Sequence, residues 1–290
     1  MYYDFGFYLA VAAIITGIVV LIDRMKWRKE RQAKGIEFDK KGNEKMPFAI
    51  DISRSFFPVI LIVLLLRSFL YEPYRIPSGS MNPGLYDGDF ILVNKFAYGL
   101  RLPGLNTKIL PIGEPERGDV IVFHPPHEPQ NAYIKRLIGM PGDRLEWKRG
   151  VLTVTPQCET GLKCEQIIIK PQFISDEVED LVPNGEYFDT YSETINDKNY
   201  NIIYLDKRVL GAKQSLTESW TKVVPEGKYF GIGDNRDSSA DSRVWGFIDE
   251  DAMIGRASAR WLFMEFSEKP VLFGRHLPTG ISFDRVGSIK

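Results

Sequence analysis

The feature that most constrains the fold is an apolar run close to the start of the chain. From Phe5 to Ile22, eighteen residues follow one another without a charged side chain. A helix of that length rises about 27 Å, which is close to the thickness of about 30 Å of a bilayer's hydrocarbon core. A cleaved signal peptide is a poorer interpretation, because Asp4 precedes the run and Asp23 follows it directly. We therefore predict a short tail and a first membrane-spanning helix over residues 1–22.

A second apolar run, from Ser55 to Leu66, has twelve residues and could form a buried core helix. The run reaches membrane length when residues 48–71 are taken together, with an arginine near each end that can extend toward the headgroups. Asp51 and Pro58 weaken this interpretation. We predict a second spanning helix over residues 48–71.

The segment between the two runs sets the expected orientation. It carries nine lysine and arginine residues between Asp23 and Lys45, whereas the N-terminal tail has none. Short loops rich in basic residues stay on the cytoplasmic side of a membrane. Residues 23–47 are therefore predicted to be a basic cytoplasmic loop, and the region from residue 72 onward is predicted to face outward.

The overall charge argues against nucleic acid as a partner, and the residue patterns indicate no metal or cofactor. The chain has 290 residues, with 37 basic against 38 acidic side chains and a net charge of −1, so nucleic acid is not an expected partner. No residue pattern is typical of a metal site, and nothing suggests an organic cofactor.

The two cysteines, Cys158 and Cys164, are separated by five residues. That spacing suits a small disulfide loop in an oxidising compartment, which agrees with an outward-facing domain. Two free thiols remain an alternative.

Residues 72–290 show short apolar or alternating runs broken by glycine and proline, without a long amphipathic helix. This pattern predicts a mainly β domain. Residues 155–220 show few strand signals and are interpreted as an insertion or a less regular subdomain. The predicted strands are Asp89–Phe96, Asp119–Phe123, Asn131–Ile138, Arg144–Lys148, Val151–Val154, Asn201–Leu205, Lys228–Gly231 and Met253–Phe266.

Two segments have the residue types of a nucleophile and a base. Ser80 lies in a turn between Pro77 and Pro83, where a stiffened backbone would hold its hydroxyl outward. Lys135 lies on a predicted strand face between Tyr133 and Leu137. Moving its pKa from about 10.4 to neutrality takes about three units, or about 4 kcal/mol, and only then does a lysine act as a general base. A loop serine and a half-buried structural lysine are the alternative interpretations.

A dense polar loop follows the predicted strand that ends at Gly231. Residues 233–243 contain three serines, three aspartates and two arginines. Such a loop can form an internal network of hydrogen bonds and ion pairs that orients a neighbouring base. The three histidines, His124, His127 and His276, lie in predicted loops and show no metal-binding spacing.

Four segments, in this order, resemble bacterial type I signal peptidases: PSGSM at 77–81, RGDVIVF at 117–123, YIKRLIGMPGD at 133–143 and GDNRDSSADSRVWG at 233–246. The resemblance covers nearly the whole chain, including both predicted spans. Gly84 departs from the threonine that the family commonly has after the proline.

The resemblance implies a membrane-anchored endopeptidase of the inner membrane, with a periplasmic catalytic domain, that removes signal peptides after an Ala-X-Ala-type site. Ser80 looks like the nucleophile and Lys135 like the general base. The N–H of Ser80 and the hydroxyl of Ser78 would form the oxyanion hole. Ser239 matches the residue that orients the lysine, while Asp241 and Arg243 match a supporting ion pair.

The expected partners are preproteins with signal peptides and the lipid bilayer, and an association with the secretion channel is left open. Ser80 follows Tyr71 by nine residues, so it lies within about 30 Å of the end of the second span. The substrate is expected to add to a strand edge. From proximity and family likeness, shallow pockets are predicted to be lined by Met81, Phe90, Ile91, Leu92, Val93 and Ile134.

Two other functions are compatible with parts of the sequence. One is a non-catalytic, membrane-anchored β module that binds exported peptides. The other is a hydrolase that pairs a serine with one of the three histidines. The joint presence of Ser80, Lys135 and Ser239 argues against the first.

Overall fold

The structure is a computed structural model that describes residues 5–35, 46–69, 71–101, 108–157, 165–175, 188–205, 219–267 and 277–289. The chain divides into two compact units. The first comprises Met1–Tyr71 and Leu100–Leu110, and the second comprises Glu72–Gly99 and Pro111–Lys290.

The first unit contains the two long apolar helices. Helix α1 spans Phe5–Ile22 and continues through a π-helical turn, Asp23–Trp27, into α2, Arg28–Lys34, while α3 spans Phe48–Phe69. By length and composition, the stretches Gly6–Lys34 and Phe48–Leu66 could each cross a membrane. Pro58 does not interrupt α3.

The first helical stretch extends twelve residues further than the sequence predicted, from Asp23 to Lys34. The basic segment was interpreted as a loop from residue 23, but its Lys, Arg, Gln and Ala residues favour helix. Gly35, at a φ of +90°, ends the helix. The rest of that segment, residues 36–45, lies outside the described residues.

Helices α1 and α3 pack against each other through a small residue. A Cβ placed on Gly17 would lie 2.8 Å from Cε2 of Phe57, so only glycine admits the ring at that distance. Small residues at helix contacts allow such close packing in membranes. Large apolar side chains elsewhere on both helices remain exposed, among them Ile14, Ile15, Phe56 and Val59.

The structure confirms a mainly β fold for the remaining chain. The strands are β1 Tyr71–Arg75, β2 Asp89–Asn94, β3 Leu100–Arg101, β4 Lys108–Leu110, β5 Val120–Phe123, β6 Tyr133–Gly139, β7 Arg144–Lys148, β8 Val151–Thr155, β9 Ile167–Ile169, β10 Gln172–Ser175, β11 Phe188–Ile195, β12 Lys198–Leu205, β13 Ser219–Val223, β14 Lys228–Ile232, β15 Ile248–Asp249, β16 Met253–Phe266, β17 Pro278–Ser282 and β18 Gly287–Ser288. Short helical turns lie at Gly79–Met81, Glu250–Ala252 and α4, Ser242–Trp245.

The largest sheet has nine strands in the order β1-β2-β16-β5-β6-β14-β15, with β17 and β18 also paired to β16. Smaller sheets are formed by β13-β7-β8-β9, by β10-β11-β12 and, in the first unit, by β3-β4. The pairing of β6 with β5 and β14 is antiparallel, and it places Lys135 opposite Ile121 in the middle of the large sheet.

All eight predicted strands are confirmed, with ends shifted by at most three residues. A two-residue turn joins β7 and β8, with Arg149 and Gly150 both at positive φ, as such a hairpin requires.

The stretch 155–220 is more regular than the sequence predicted. Strands β11 and β12 pair over eight residues each and form a long antiparallel hairpin. The signal was weak because the polar residues Asp189, Thr190 and Ser192 occupy most of the half-exposed positions of β11. Its buried positions hold Phe188 and Ile195, but also Glu193, which conceals the apolar alternation.

Candidate active site

The turn that carries Ser80 is anchored by its neighbour. Gly79–Met81 forms one 3₁₀ turn that follows Ser78 in extended conformation. Met81 is fully buried in an apolar cluster with Ile76 and Leu85. Because successive residues of the turn point in different directions, burial of Met81 leaves the Ser80 side chain partly exposed.

Lys135 reaches Ser80 from the centre of the large sheet. Its Nζ lies 2.7 Å from Ser80 Oγ and donates a second hydrogen bond to Ile134 O at 2.8 Å. The Lys135 side chain is 3 % exposed. Burial lowers its pKa from 10.5 to about 8; the charges of Asp241 and Asp234 act in the opposite direction, and the charge of Arg243 lowers the pKa further.

The polar loop predicted from residues 233–243 lies behind this pair and is held by an ion pair. Asp241 Oδ2 and Oδ1 accept from Arg243 Nη2 at 2.7 Å and Nε at 2.8 Å. Asp241 also accepts the N–H of Gly233 at 2.9 Å and begins α4 as its N-cap. Burial alone raises the pKa of Asp241, but the hydrogen bonds and charge of Arg243 and the Gly233 N–H outweigh it, so the pKa is lowered.

Ser239 approaches the turn through the space left by a glycine. A Cβ on Gly233 would lie 2.1 Å from Ser239 Oγ and 2.6 Å from Ser80 O. Ser239 Oγ is buried and has no hydrogen-bond partner among the described residues. Because Gly233 has no side chain, the buried Ser239 hydroxyl can lie close to the back of the Ser80 turn.

Asn235 joins the loop to the turn, a role that its sequence context does not indicate. Its backbone N–H donates to Ser80 O and its Nδ2 donates to Gly79 O, both at 3.1 Å. Its Oδ1 accepts the N–H of Ser238 at 3.3 Å. A single asparagine within a loop of charged residues gave no signal, since its partners lie about 155 residues away in sequence.

Similarity to known proteins identifies the family of this chain. Residues 49–262 match the family described as signal peptidase, peptidase S26. Signal peptidase I of Pseudomonas aeruginosa is 37 % identical over 89 % of this chain and 92 % of its own length. That of Buchnera aphidicola (subsp. Baizongia pistaciae) is 34 % identical over 97 % of both chains. The chain belongs to the signal peptidase family.

One solved member of the signal peptidase family also matches. A signal peptidase I from Enterococcus faecalis is 26 % identical, with a TM-score of 0.30, over 51 % of this chain and 99 % of the other.

The structure does not bring the six predicted pocket residues of this signal peptidase family member together. Met81, Ile91, Val93 and Ile134 pack in one buried cluster. Phe90 and Leu92 lie on the opposite face of β2, where Phe90 packs on the ring of Trp261 at 5.9 Å. Because side chains alternate along a strand, residues 90–93 face two different sides of β2, and their contact with substrate stays a prediction. Substrate contact by Met81 or Ile134 stays a prediction.

The histidines that the structure describes do not contact Ser80. His124 Nδ1 lies 3.2 Å from Asn131 O, and His127 packs against the rings of Tyr133 and Trp245. His276 lies outside the described residues, as do Cys158 and Cys164, whose pairing stays a prediction. No group of three or more metal-binding side chains is found in the described part of the chain.

Proposed function

We propose that the protein is a membrane-anchored serine endopeptidase that removes N-terminal signal peptides from exported preproteins after an Ala-X-Ala-type site. The observation that carries the proposal is the 2.7 Å approach of the buried Lys135 amine to Ser80 Oγ in a chain of this family.

The first step is attack by Ser80. The neutral amine of Lys135 takes the hydroxyl proton while Ser80 Oγ forms a bond to the carbonyl carbon of the substrate. A pKa of about 8 instead of 10.5 makes the neutral fraction at pH 7 about 300-fold larger. Burial thus supplies a base where an exposed lysine would be almost fully protonated.

The second step is departure of the mature chain. The carbonyl–nitrogen bond breaks, and the Lys135 ammonium gives its proton to the leaving nitrogen. Water then attacks the acyl–serine ester while Lys135 accepts its proton. The bond between the carbonyl carbon and Ser80 Oγ breaks, Lys135 returns the proton to Ser80 Oγ, and the signal peptide leaves with a new carboxyl group. Both steps use the same Nζ.

The developing oxyanion needs donors on the other side of the turn. Ser80 is the second residue of a 3₁₀ turn, where backbone N–H groups have no partner within the turn. This N–H, together with the hydroxyl of the exposed Ser78, is the proposed oxyanion hole. Ser239 would orient the lysine, and the Asp241–Arg243 pair would hold the loop that carries it.

The membrane anchor is proposed to be the pair α1 and α3. Their exposed apolar side chains are suited to lipid. The basic segment between them favours a cytoplasmic loop, so the enzyme would be a multi-pass protein of a bacterial inner membrane with Ser80 on the periplasmic side. Preproteins and the bilayer are then its partners, and an association with the secretion channel is compatible with this site.

The test is cleavage of a purified preprotein with an Ala-X-Ala site in detergent or lipid by the unaltered protein, Lys135→Ala and His124→Ala. We expect the unaltered protein and His124→Ala to cut after the last alanine, and Lys135→Ala to lose about 10²- to 10⁴-fold in rate. The cleavage rate should rise with pH, with the midpoint of the rise near pH 8, because the Lys135 amine becomes neutral there.

The outcomes separate the alternatives. Failure of the unaltered protein to cut would favour a binding module. Full activity of Lys135→Ala would exclude the lysine as the base, and loss of activity in His124→Ala with Lys135 intact would favour a serine–histidine hydrolase.

A further inference from the structure

A run of aromatic rings begins beside Lys135 and ends at the protein surface. Tyr133 and His127 lie with ring centroids 5.5 Å apart at 84°, and His127 and Trp245 lie 5.6 Å apart at 31°. We call these three residues the aromatic shelf. They come from the start of β6, the loop before it and the end of α4.

The shelf is fixed at its base and open at its end. The Tyr133 hydroxyl donates to Glu128 Oε2 at 2.7 Å, and the Trp245 ring packs on the buried Phe123 at 5.7 Å. His127 is exposed, and Val244 beside Trp245 is 76 % exposed. Part of the ring surface is therefore available to a ligand without rearrangement.

The shelf starts beside Lys135 Nζ, the proposed proton acceptor. Lys135 Nζ lies 5.8 Å from the centroid of the Tyr133 ring, since residues 133 and 135 share one face of β6. On the other side of Ser80, the side chain of Met81 is buried in a packed core. Of these two sides of Ser80, the side with the shelf has exposed ring surface, whereas the Met81 side is packed.

The chemistry of the reaction brings the start of the mature chain close to this ring. Lys135 must return its proton to the leaving nitrogen, so this nitrogen comes within about 3 Å of Nζ. The nitrogen belongs to the first residue of the mature chain, and its Cα is only about 1.5 Å further away. Side chains just after the cut are thus within reach of rings that begin 5.8 Å from Nζ.

We infer that the aromatic shelf is a subsite for the side chains of the first residues after the cut, and that it favours flat apolar side chains. This inference rests on the proposed function. Aromatic faces gain about 0.5–1.5 kcal/mol from a packed ring partner, or about twofold to tenfold in selectivity. The preference would be separate from the requirement for small residues before the cut.

The experiment uses the full-length protein in detergent and peptides that share one Ala-X-Ala site and differ only in the next residue, alanine or phenylalanine. The measured quantity is the ratio of kcat/KM for the phenylalanine peptide to that for the alanine peptide. This ratio cancels any change in the amount of folded enzyme. The variants are His127→Ala, at the exposed end of the shelf, and His124→Ala, a histidine on the same loop that contacts Asn131 instead.

We expect the unaltered protein and His124→Ala to prefer phenylalanine, and His127→Ala to lower the ratio about twofold to tenfold. An unchanged ratio in His127→Ala, an equal fall in His124→Ala, or no preference in the unaltered protein would overturn the subsite while leaving the peptidase intact. Failure of the unaltered protein to cut either peptide would refute the proposed function and the subsite with it.

Discussion

Two neighbouring residues of β6 place buried cations on opposite faces of the same sheet, with opposite results. Lys135 donates to two neutral oxygens, Ser80 Oγ and Ile134 O. Arg136 forms a two-point ion pair with Asp234, at 2.8 and 2.7 Å, and donates a further hydrogen bond to Gly118 O. Burial lowers the pKa of both cations, but Asp234 outweighs it at Arg136, whose pKa is raised.

The Arg136 face continues as a paired network. Arg236 forms a second two-point pair with Glu193 of β11, and Tyr200 of β12 donates to the same carboxylate at 2.9 Å. The guanidinium of Arg136 stacks on the Tyr200 ring at 3.8 Å. The two faces thus differ. On the Arg136 face, ion pairs hold the polar loop to the hairpin, whereas on the other face the Lys135 amine forms no ion pair among the described residues.

Breaking the compensated face should have the largest effect on stability. In Glu193→Ala, the fully buried Arg236 loses its carboxylate partner, and we expect a destabilisation of about 3–5 kcal/mol. Thermal unfolding in detergent should then shift down by about 6–20 °C. Thr194→Ala, an exposed neighbour on β11, should shift it little. Equal shifts for both variants would mean that the pair does not hold the hairpin.

Removing the uncompensated charge should instead stabilise the protein. A pKa of about 8 in the folded state against 10.5 in the unfolded state means that folding opposes protonation, at a cost of about 3 kcal/mol below pH 8. The cost disappears as pH rises from 8 to 10.5. Lys135→Met should therefore be more stable than the unaltered protein at pH 7 and lose this advantage by pH 10.5, in thermal unfolding at both pH values.

An exposed lysine on the same unit provides the control for this prediction. Lys170→Met should show no comparable gain at pH 7. A Lys135→Met variant that is less stable at pH 7 would show that the amine is compensated after all.

Ser239 offers a smaller effect that separates activity from stability. Its Oγ has no partner among the described residues, so Ser239→Ala should change stability by less than about 0.5 kcal/mol. If the hydroxyl orients Lys135 during the reaction, kcat should fall about tenfold to a hundredfold with little change in KM. Ser238→Ala, an exposed neighbour, is the matched control. A loss of stability without a loss of kcat would assign Ser239 to structure.

The sequence predicted the parts of this site that depend on local pattern. Alternation placed Lys135 on a buried strand face, and the prolines around Ser80 indicated a stiff turn, because both signals extend over only a few residues. The length of the first helix was missed since charged helix formers resemble a solvated loop. The pocket assignment used proximity in sequence, which does not say which face of β2 a side chain occupies, so it stays a prediction.

The ion pairs on the Arg136 face could not be predicted from the sequence. Arg136 and Asp234 are 98 positions apart, and Glu193 and Arg236 are 43 apart. Nothing local distinguishes such charges from surface ones, and only the topology that brings β11 to the polar loop pairs them. The Lys135 face of β6 was thus more predictable from the sequence than the Arg136 face.

Asn235 connects the two faces. It follows Asp234 of the ion-pair network, and it donates hydrogen bonds to the carbonyls of Gly79 and Ser80 in the Ser80 turn. Asn235→Ala keeps the backbone bond to Ser80 O but loses the side-chain donor to Gly79 O, which should cost about 1 kcal/mol. A looser turn should lower kcat severalfold, whereas Asn199→Ala, an exposed asparagine on β12, should not. If kcat is unchanged while stability falls, the Asn235 side chain stabilises only the fold, and the position of Ser80 does not depend on it.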